Sequence, residues 1–454
     1  MCYNSYSGDT MYNALCILCG KIIIFIGRLL NRGSSLPGQI ILKLNKNILK
    51  YFKLPKTVIA VTGSSGKGSS SSVLAQIFKD QGYSVAHNAS GSNLSAGITT
   101  LLLDRANLKG KIKDDVLIYE IDERYTKYIF NDIKPNIVII TNITRDQPPR
   151  QGHVDLVFEE INKSIKDDMT LILNGDDPYL KKFTFNRKNK VFYYGIDKNK
   201  YSYIKNKFEN LNIDYCPRCN SKLNYNYYHF ENNGDYICSK CNFKRPEIDF
   251  KVTNIDYNNS LIEVDNKYKI NIPYNLLFCI YNIMACYSVS NICKLDNKKT
   301  IETISNLRAN KKIFRTYNYN NRIVYTLNNK NENSSTFNQS LLFMNRNKDL
   351  KTVIIGWKEI SRRYNYDDLS WLYDINFELL NKMNIDKIIC TGIHCYDIAV
   401  RLKLANIDTK KIIVKENLKD STDYIKNKTK GNIYGILNFD YVTPFNTYMN
   451  GSDK

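Results

Sequence analysis

Three groups of residues in this 454-residue chain could do chemistry. The first is Gly63-Ser64-Ser65-Gly66-Lys67-Gly68-Ser69, a run of small residues around one lysine. In such a loop the glycines let backbone N–H groups turn inward around a polyphosphate, the Lys67 ammonium approaches the outer phosphates, and the Ser69 hydroxyl can complete a Mg²⁺ shell. The spacing is not the usual GxxxxGK[ST], which would need glycine at Val61 and a hydroxyl at Gly68. The second group is Glu120-Ile121-Asp122-Glu123, directly after the apolar run at 116–119. Carboxylates at the end of a parallel strand stand where such sheets place ligands, so Glu120 is a candidate Mg²⁺ ligand; a solvated acidic strand end is the alternative. The third group is Cys216, Cys219, Cys238 and Cys241, two CxxC pairs with 18 residues between them. Four thiolates at that spacing can close a tetrahedral shell on Zn²⁺ with no open position, which implies a structural site.

The elements around these residues set their positions. Val58-Ile59-Ala60-Val61 reads as a buried strand entering the glycine loop, and Val73, Leu74, Ile77 and Phe78 give the helix that leaves it, whose N-terminus adds partial positive charge. Further apolar runs at 136–141 and 171–173 end in Asn142-Ile143-Thr144-Arg145 and Asn174-Gly175-Asp176-Asp177. Strands alternating with helical stretches specify an α/β fold with a parallel sheet, whose polar loops gather on one edge. The cysteine segment, about 213–250, interrupts this sheet as a zinc ribbon. From about residue 312 a second, smaller α/β domain is expected, with strands at 323–327, 352–355, 387–390 and 432–437. The expected division is thus 1–50, 51–311 and 312–454.

Composition narrows the function classes. The formal charge of +21 is spread through a chain equally rich in Asn, Ile and Tyr, which favours a general compositional bias over a nucleic-acid module; no DNA or RNA partner is expected. Twelve cysteines, four in the ribbon and the rest in apolar contexts, fit a reducing cytoplasm. Residues 11–30 are apolar but interrupted by Gly20 and Lys21, which predicts a helix packed on the protein, with contact to a membrane face as the alternative. The small-residue segment at 87–100 suggests a backbone shaped to approach a ligand, or simply a long loop.

Taken together, Leu36-Pro37-Gly38-Gln39, the loop TGSSGKGS, HNASGSNLSAGITT, EIDE, TNITRDQ, LNGDDP, the inserted four-cysteine ribbon and Tyr281-Asn282 resemble the MurT-type subunits of lipid II isoglutaminyl synthases, within the Mur ligase superfamily. That resemblance implies a Mur-ligase-like ATPase domain and a C-terminal domain that closes over the nucleotide. It implies ATP-dependent activation of the D-glutamate α-carboxylate of lipid II as an acyl-phosphate, with ammonia supplied by a GatD-type glutaminase. Ser69 and Glu120 would hold Mg²⁺, Asn282 would face adenine, and Lys330 and Asn331 would stand near the ATP. Asp368 matches an aspartate thought to assist the partner's Cys-His machinery or the amidation; an Asp capping the helix that begins near Leu369 is the other reading. A ligase acting alone on another carboxylate is the competing expectation.

Overall fold

The computed structural model describes residues 5–30, 34–88, 91–145, 153–208, 214–311, 313–330, 332–358 and 368–450. Asn331, and Asp146 and Gln147 at the end of TNITRDQ, lie outside these. A nine-stranded sheet takes β1 (Thr57–Thr62), β2 (Val85–His87), β3 (Val116–Glu120), β4 (Ile137–Ile140), β5 (Thr170–Asn174) and β6 (Val191–Ile196) from the first half of the chain. A two-stranded hairpin, β7 (Leu223–Phe230) and β8 (Asn233–Cys238), stands apart before β9 (Phe250–Asp256), β10 (Leu261–Val264) and β11 (Tyr268–Asn271) complete the sheet. The spatial order is β11-β10-β9-β6-β5-β4-β1-β3-β2. It is parallel from β2 to β9 and turns antiparallel only at β10 and β11.

The physical cause is visible in the strands. β4 is Ile-Val-Ile-Ile with every residue buried, and β3 is buried throughout, as required of strands covered by helices on both faces. The helices Lys67–Asp80 and Leu277–Ile292 cover one face, and the helix Ser95–Arg105 covers the other.

A second sheet, in the order β12-β13-β17-β14-β15-β16, is built from β12 (Phe314–Tyr319), β13 (Arg322–Asn329), β14 (Lys351–Trp357), β15 (Ile385–Gly392), β16 (Ile412–Lys415) and β17 (Asn432–Asn438). Only the β12–β13 hairpin is antiparallel. Each expected strand overlaps an observed one, the run at 136–141 being one residue longer at each end than β4. The antiparallel additions β10, β11 and β12 have short alternating patterns that the reading of long apolar runs passes over.

The N-terminal segment differs from expectation in one respect. The helix Ser5–Leu29 does pack on the protein, through Cys16, Ile17, Gly20 and Ile24, but its opposite face is apolar and exposed. A Cβ on Gly20 would stand 2.9 Å from Leu103, so the helix lies unusually close to the helix Ser95–Arg105.

Candidate functional site

The glycine loop sits at the C-terminal edge of β1, and its backbone conformation explains its composition. Gly63 has φ +124° and Gly66 has φ +83°, the left-handed region in which a Cβ is strained. Gly66 is the residue before the helix Lys67–Asp80. The first-turn N–H groups from Lys67 to Ser69 therefore have no intrahelical acceptor and face the cavity above the sheet. Strand β4 braces the loop from beside it. Asn142 accepts from the backbone N–H of Ser65 at 3.0 Å and donates to its carbonyl at 3.0 Å, and the Thr141 hydroxyl donates to the same carbonyl at 2.6 Å. The segment TNIT is thus the splint of the loop.

Lys67 is buried, and its Nζ donates to Glu123 Oε1 at 2.8 Å and to the Gly63 carbonyl. Glu123, with a fully buried side chain, is a partner that the EIDE segment contained without revealing. Its place in a 3-10 turn after β3 aims it back at the loop. A buried ion pair of this kind fixes a lysine stem while leaving the ammonium at the wall of the cavity.

Glu120 closes β3, and the small-residue segment after β2 shapes its surroundings. Asn88 donates to the Glu120 carbonyl at 2.9 Å and accepts from its N–H at 2.9 Å, while Asn93 donates to Oε1 at 2.8 Å. The other oxygen, Oε2, would lie 3.0 Å from a Cβ on Gly68, so only glycine there lets the carboxylate approach the loop. Ser69 and Glu120 both line the cavity, and a hydroxyl plus a carboxylate is the hard-oxygen donor set that suits Mg²⁺.

The cavity has a volume of about 430 Å³. Besides loop residues 64–69 it is lined by Asn282, Asp177, Lys330 and the hairpin tip at 230–233. Asn282 stands directly against the loop: a Cβ on Gly66 would meet its Oδ1 at 2.5 Å. Lys330 reaches across from the end of β13 to donate to the Ser64 carbonyl at 2.8 Å, and Asn333 donates to the Thr144 hydroxyl at 3.1 Å. These contacts bring the second sheet onto the loop. A second cavity, about 400 Å³, shares Gly68, Ser69 and Glu120 with the first and adds His87, Tyr274 and Arg308. Burial lowers His87 to about 4, so its imidazole is neutral there, with Nε2 3.1 Å from the Ser71 hydroxyl.

Asp368 does not line either cavity. Its Oδ1 accepts from the Ser370 N–H at 2.8 Å, a local turn leading into the 3-10 helix Ser370–Asp374, whose N-cap is Leu369 with no side-chain cap. That turn is tied to Arg145, which pairs with Asp374 at 2.9 Å and also contacts Ser370. Burial raises the Asp374 carboxyl, Arg145 pulls it back, and Asp368 raises it further.

The four cysteines converge. Their sulfurs all lie within 4.8 Å of one another, with Cys216–Cys241 at 3.6 Å and Cys219–Cys238 at 3.5 Å. Tetrahedral Zn²⁺ with Zn–S near 2.3 Å places sulfurs about 3.8 Å apart, so the set fits the ion. In each knuckle a backbone N–H two residues on points at sulfur, Arg218 to Cys216 and Lys240 to Cys238, both at 3.4 Å. Among the described residues the buried hydrophobic cluster here is Leu223, Tyr236, Phe243 and two of the cysteines, with Phe185 and Tyr225 packed against it, a small core that such a clasp would reinforce.

The hairpin is more than a peripheral clasp. Arg245, just past the second knuckle, pairs with buried Asp176 at 2.6 Å, and Asp176 also accepts from the Tyr281 hydroxyl at 2.9 Å. At the hairpin tip Glu231, in the left-handed region at φ +47°, accepts from Asn338 Nδ2 and from the Ser335 hydroxyl, both at 2.9 Å. Burial pushes its carboxyl up to about 7 and that of Asp177 up to about 6. Glu231 thus joins the inserted hairpin to the helix Ser334–Arg346 of the second sheet, across the cavity mouth. Sequence reading missed this residue. The Glu231-Asn232-Asn233-Gly234 run signals a turn, but nothing in it says where the turn points.

Comparison with known sequences fits this geometry. The Mur ligase middle-domain model matches residues 61–290, the stretch that holds the loop, Glu120, the ribbon and Asn282. The chain belongs to the Mur ligase family. The MurT ligase C-terminal model matches residues 331–441. Lipid II isoglutaminyl synthase (glutamine-hydrolyzing) subunit MurT of Staphylococcus aureus strain COL is 29% identical over 437 residues, 93% of this chain and 94% of that protein. The subunit of the same name from Streptococcus pneumoniae strain R6 is 28% identical over 438 residues, 94% of this chain and 95% of that one. Among solved structures, a pseudomurein peptide ligase type C from Methanothermus fervidus aligns with TM-score 0.67 and 21% identity over 90% of this chain and 81% of its own. The MurF ligase of Thermotoga maritima, solved in complex with ADP, aligns with TM-score 0.60 and 18% identity over 91% and 84%. These two structures place this Mur ligase relative in the same α/β fold, with two sheets meeting over the loop.

Proposed function

We propose that this chain is the ATP-dependent amidating subunit of a lipid II isoglutaminyl synthase. In this reading ATP occupies the first cavity with its triphosphate on the loop amides and Lys67, Asn282 and Lys330 bordering it, and Asn331 follows Lys330. Mg²⁺ held by Ser69 and Glu120 would neutralise charge on the outer phosphates. The D-glutamate α-carboxylate of lipid II enters the second cavity, where Arg308 offers a guanidinium to an anionic group. The carboxylate oxygen attacks the terminal phosphorus in line, ADP departs, and the acyl-phosphate so formed is opened by ammonia to the primary amide and inorganic phosphate. A GatD-type glutaminase would supply the ammonia, and Asp368, beside the Arg145–Asp374 pair, would face that partner. The ribbon would carry structural Zn²⁺. The working domains would be 51–311 and 312–454, with the segment 1–50 beside them. The enzyme would work in the cytoplasm, against the membrane that carries its acceptor.

The observation that carries this reading is the shared wall: Ser69 and Glu120 stand between two cavities of similar size, one bordered by the phosphate loop and the other by a cation. Such a wall is what phosphoryl transfer between two bound substrates requires. The test is the purified chain with its glutaminase, ATP, glutamine and lipid II. Amidated lipid II formed in step with ADP supports the proposal. ATP and glutamine turnover that leaves lipid II unamidated would overturn it, as would an amino-acid ligation that needs no glutaminase.

A further inference from the structure

The N-terminal helix carries a surface that phosphoryl chemistry does not use. Met11, Leu15, Leu18, Ile22, Phe25 and Leu29 recur at alternating steps of four and three, which sets them in one line along the helix. All six are exposed, from 43% at Leu18 to 70% at Leu29. The line is about 27 Å long at the helical rise of 1.5 Å per residue. An exposed apolar strip of that length on a folded protein marks an interaction surface.

The same helix is long and apolar enough to cross a bilayer, but in this structure it is tied to the body along one face. Gly20 packs closely on Leu103, Lys21 donates to the Asp104 carbonyl at 2.8 Å, Arg28 pairs with Asp104 at 2.9 Å, and the Tyr12 hydroxyl donates to the Leu44 carbonyl at 2.8 Å. One face is held along its length, and the other is offered outward in a fixed plane.

Charge decides what covers it. Residues 1–56 contain eight lysines and arginines against one aspartate. Arg28, Lys43, Lys46, Lys50, Lys53 and Lys56 are exposed. A second copy of this chain laid against the strip would bring two such basic regions together, which like-charge repulsion opposes. Between Met11 and Ile26 the exposed positions offer only the Tyr12 hydroxyl and the Cys19 thiol as polar groups, too few to fix the register of a protein partner. An anionic bilayer needs no register, and it attracts the lysines while accepting the apolar face.

We infer that the outward face of the helix Ser5–Leu29 docks in the plane of an anionic membrane, flanked by the lysines of residues 43–56. This deepens the proposed function, since it rests on an acceptor that is lipid-anchored, but its test does not require turnover. The full chain is sedimented with phosphatidylglycerol/phosphatidylcholine vesicles and with phosphatidylcholine vesicles alone. The inference expects binding to the anionic vesicles that weakens with salt. It expects a fall of at least about tenfold in Leu18→Ser/Phe25→Ser, because two apolar side chains no longer enter the interface. A comparable fall is expected in Lys43→Glu/Lys46→Glu/Lys50→Glu, with unchanged melting temperatures certifying the fold of both variants. Brominated lipid should quench a tryptophan introduced by Phe25→Trp more strongly than it quenches the two native tryptophans of the wild type. Absence of binding by the wild type, or equal binding by the strip variant, overturns the inference. So does a wild-type dimer that Leu18→Ser/Phe25→Ser converts to monomer with vesicle binding intact. If vesicle binding holds while lipid II is never amidated, the proposed activity fails and this surface stands; the reverse pattern sinks only the surface.

Discussion

Glu231→Gln isolates the contact by which the inserted hairpin reaches across the cavity. Burial lifts this carboxyl from an ordinary 4.5 to about 7, a shift of roughly 2.5 pH units, which is worth about 3 kcal/mol at 1.36 kcal/mol per unit. The sign follows from where the proton is held. The folded protein keeps it to a higher pH than the unfolded chain, so the stabilisation is complete below about pH 4.5, falls as pH rises through about 7, and is gone above. Glutamine cannot titrate, yet it keeps a carbonyl for Asn338 Nδ2, and the Ser335 hydroxyl can turn to accept. The variant should therefore gain on the wild type by up to about 3 kcal/mol between pH 5 and pH 8. Urea unfolding of both proteins across that range, read as the difference in midpoint, measures this directly. Parallel curves would refute the reasoning, because they would mean that Glu231 is no more buried in the folded state than in the unfolded one.

Other perturbations follow from the same geometry. Gly66→Ala puts a Cβ at φ +83°, costing about 1–2 kcal/mol, and drives it to 2.5 Å from Asn282 Oδ1; calorimetric titration with a non-hydrolysable ATP analogue should show affinity reduced about tenfold. Metal analysis should find one zinc per chain, and either Cys219→Ser or a strong chelator should lower the melting temperature, since the ion would clasp a hairpin whose own buried cluster is small. Arg308→Ala should raise the KM for the acceptor about tenfold or more with the KM for ATP unchanged. Lys67→Met should cut kcat/KM about a hundredfold or more. Because it also strands the Glu123 carboxylate, Lys67→Met/Glu123→Gln is the companion that should recover the melting temperature and not the activity.

Much of this architecture was legible in the chain. The run Val58-Ile59-Ala60-Val61 before a glycine loop and the all-apolar β4 leave little choice but parallel strands, and the two CxxC pairs announce their common site. What sequence could not show is direction. Glu120 and Glu123 lie three residues apart in one acidic segment, yet one ends a strand toward the shared cavity wall and the other turns under the loop to meet Lys67. Asn282 was expected at the adenine end, and its contact with Gly66 depends on how closely the helix Leu277–Ile292 packs on the helix Lys67–Asp80. Glu231 is further still from legibility, because a hairpin tip is aimed by the tertiary contacts of Arg245 and Asp176 rather than by its own residues. The N-terminal helix shows the opposite limit. Its hydrophobic pattern was plain, but which of two apolar faces would pack was decided by Gly20.

The claim on which the account stands is that the acceptor carboxylate oxygen becomes bonded to phosphorus at the wall between the two cavities. Lipid II labelled with ¹⁸O in the D-glutamate α-carboxylate, turned over by the chain with ATP and an ammonia source, tests it in one measurement. Transfer of one ¹⁸O into the inorganic phosphate released with each amide is the predicted result. Unlabelled phosphate beside fully formed amide would contradict it.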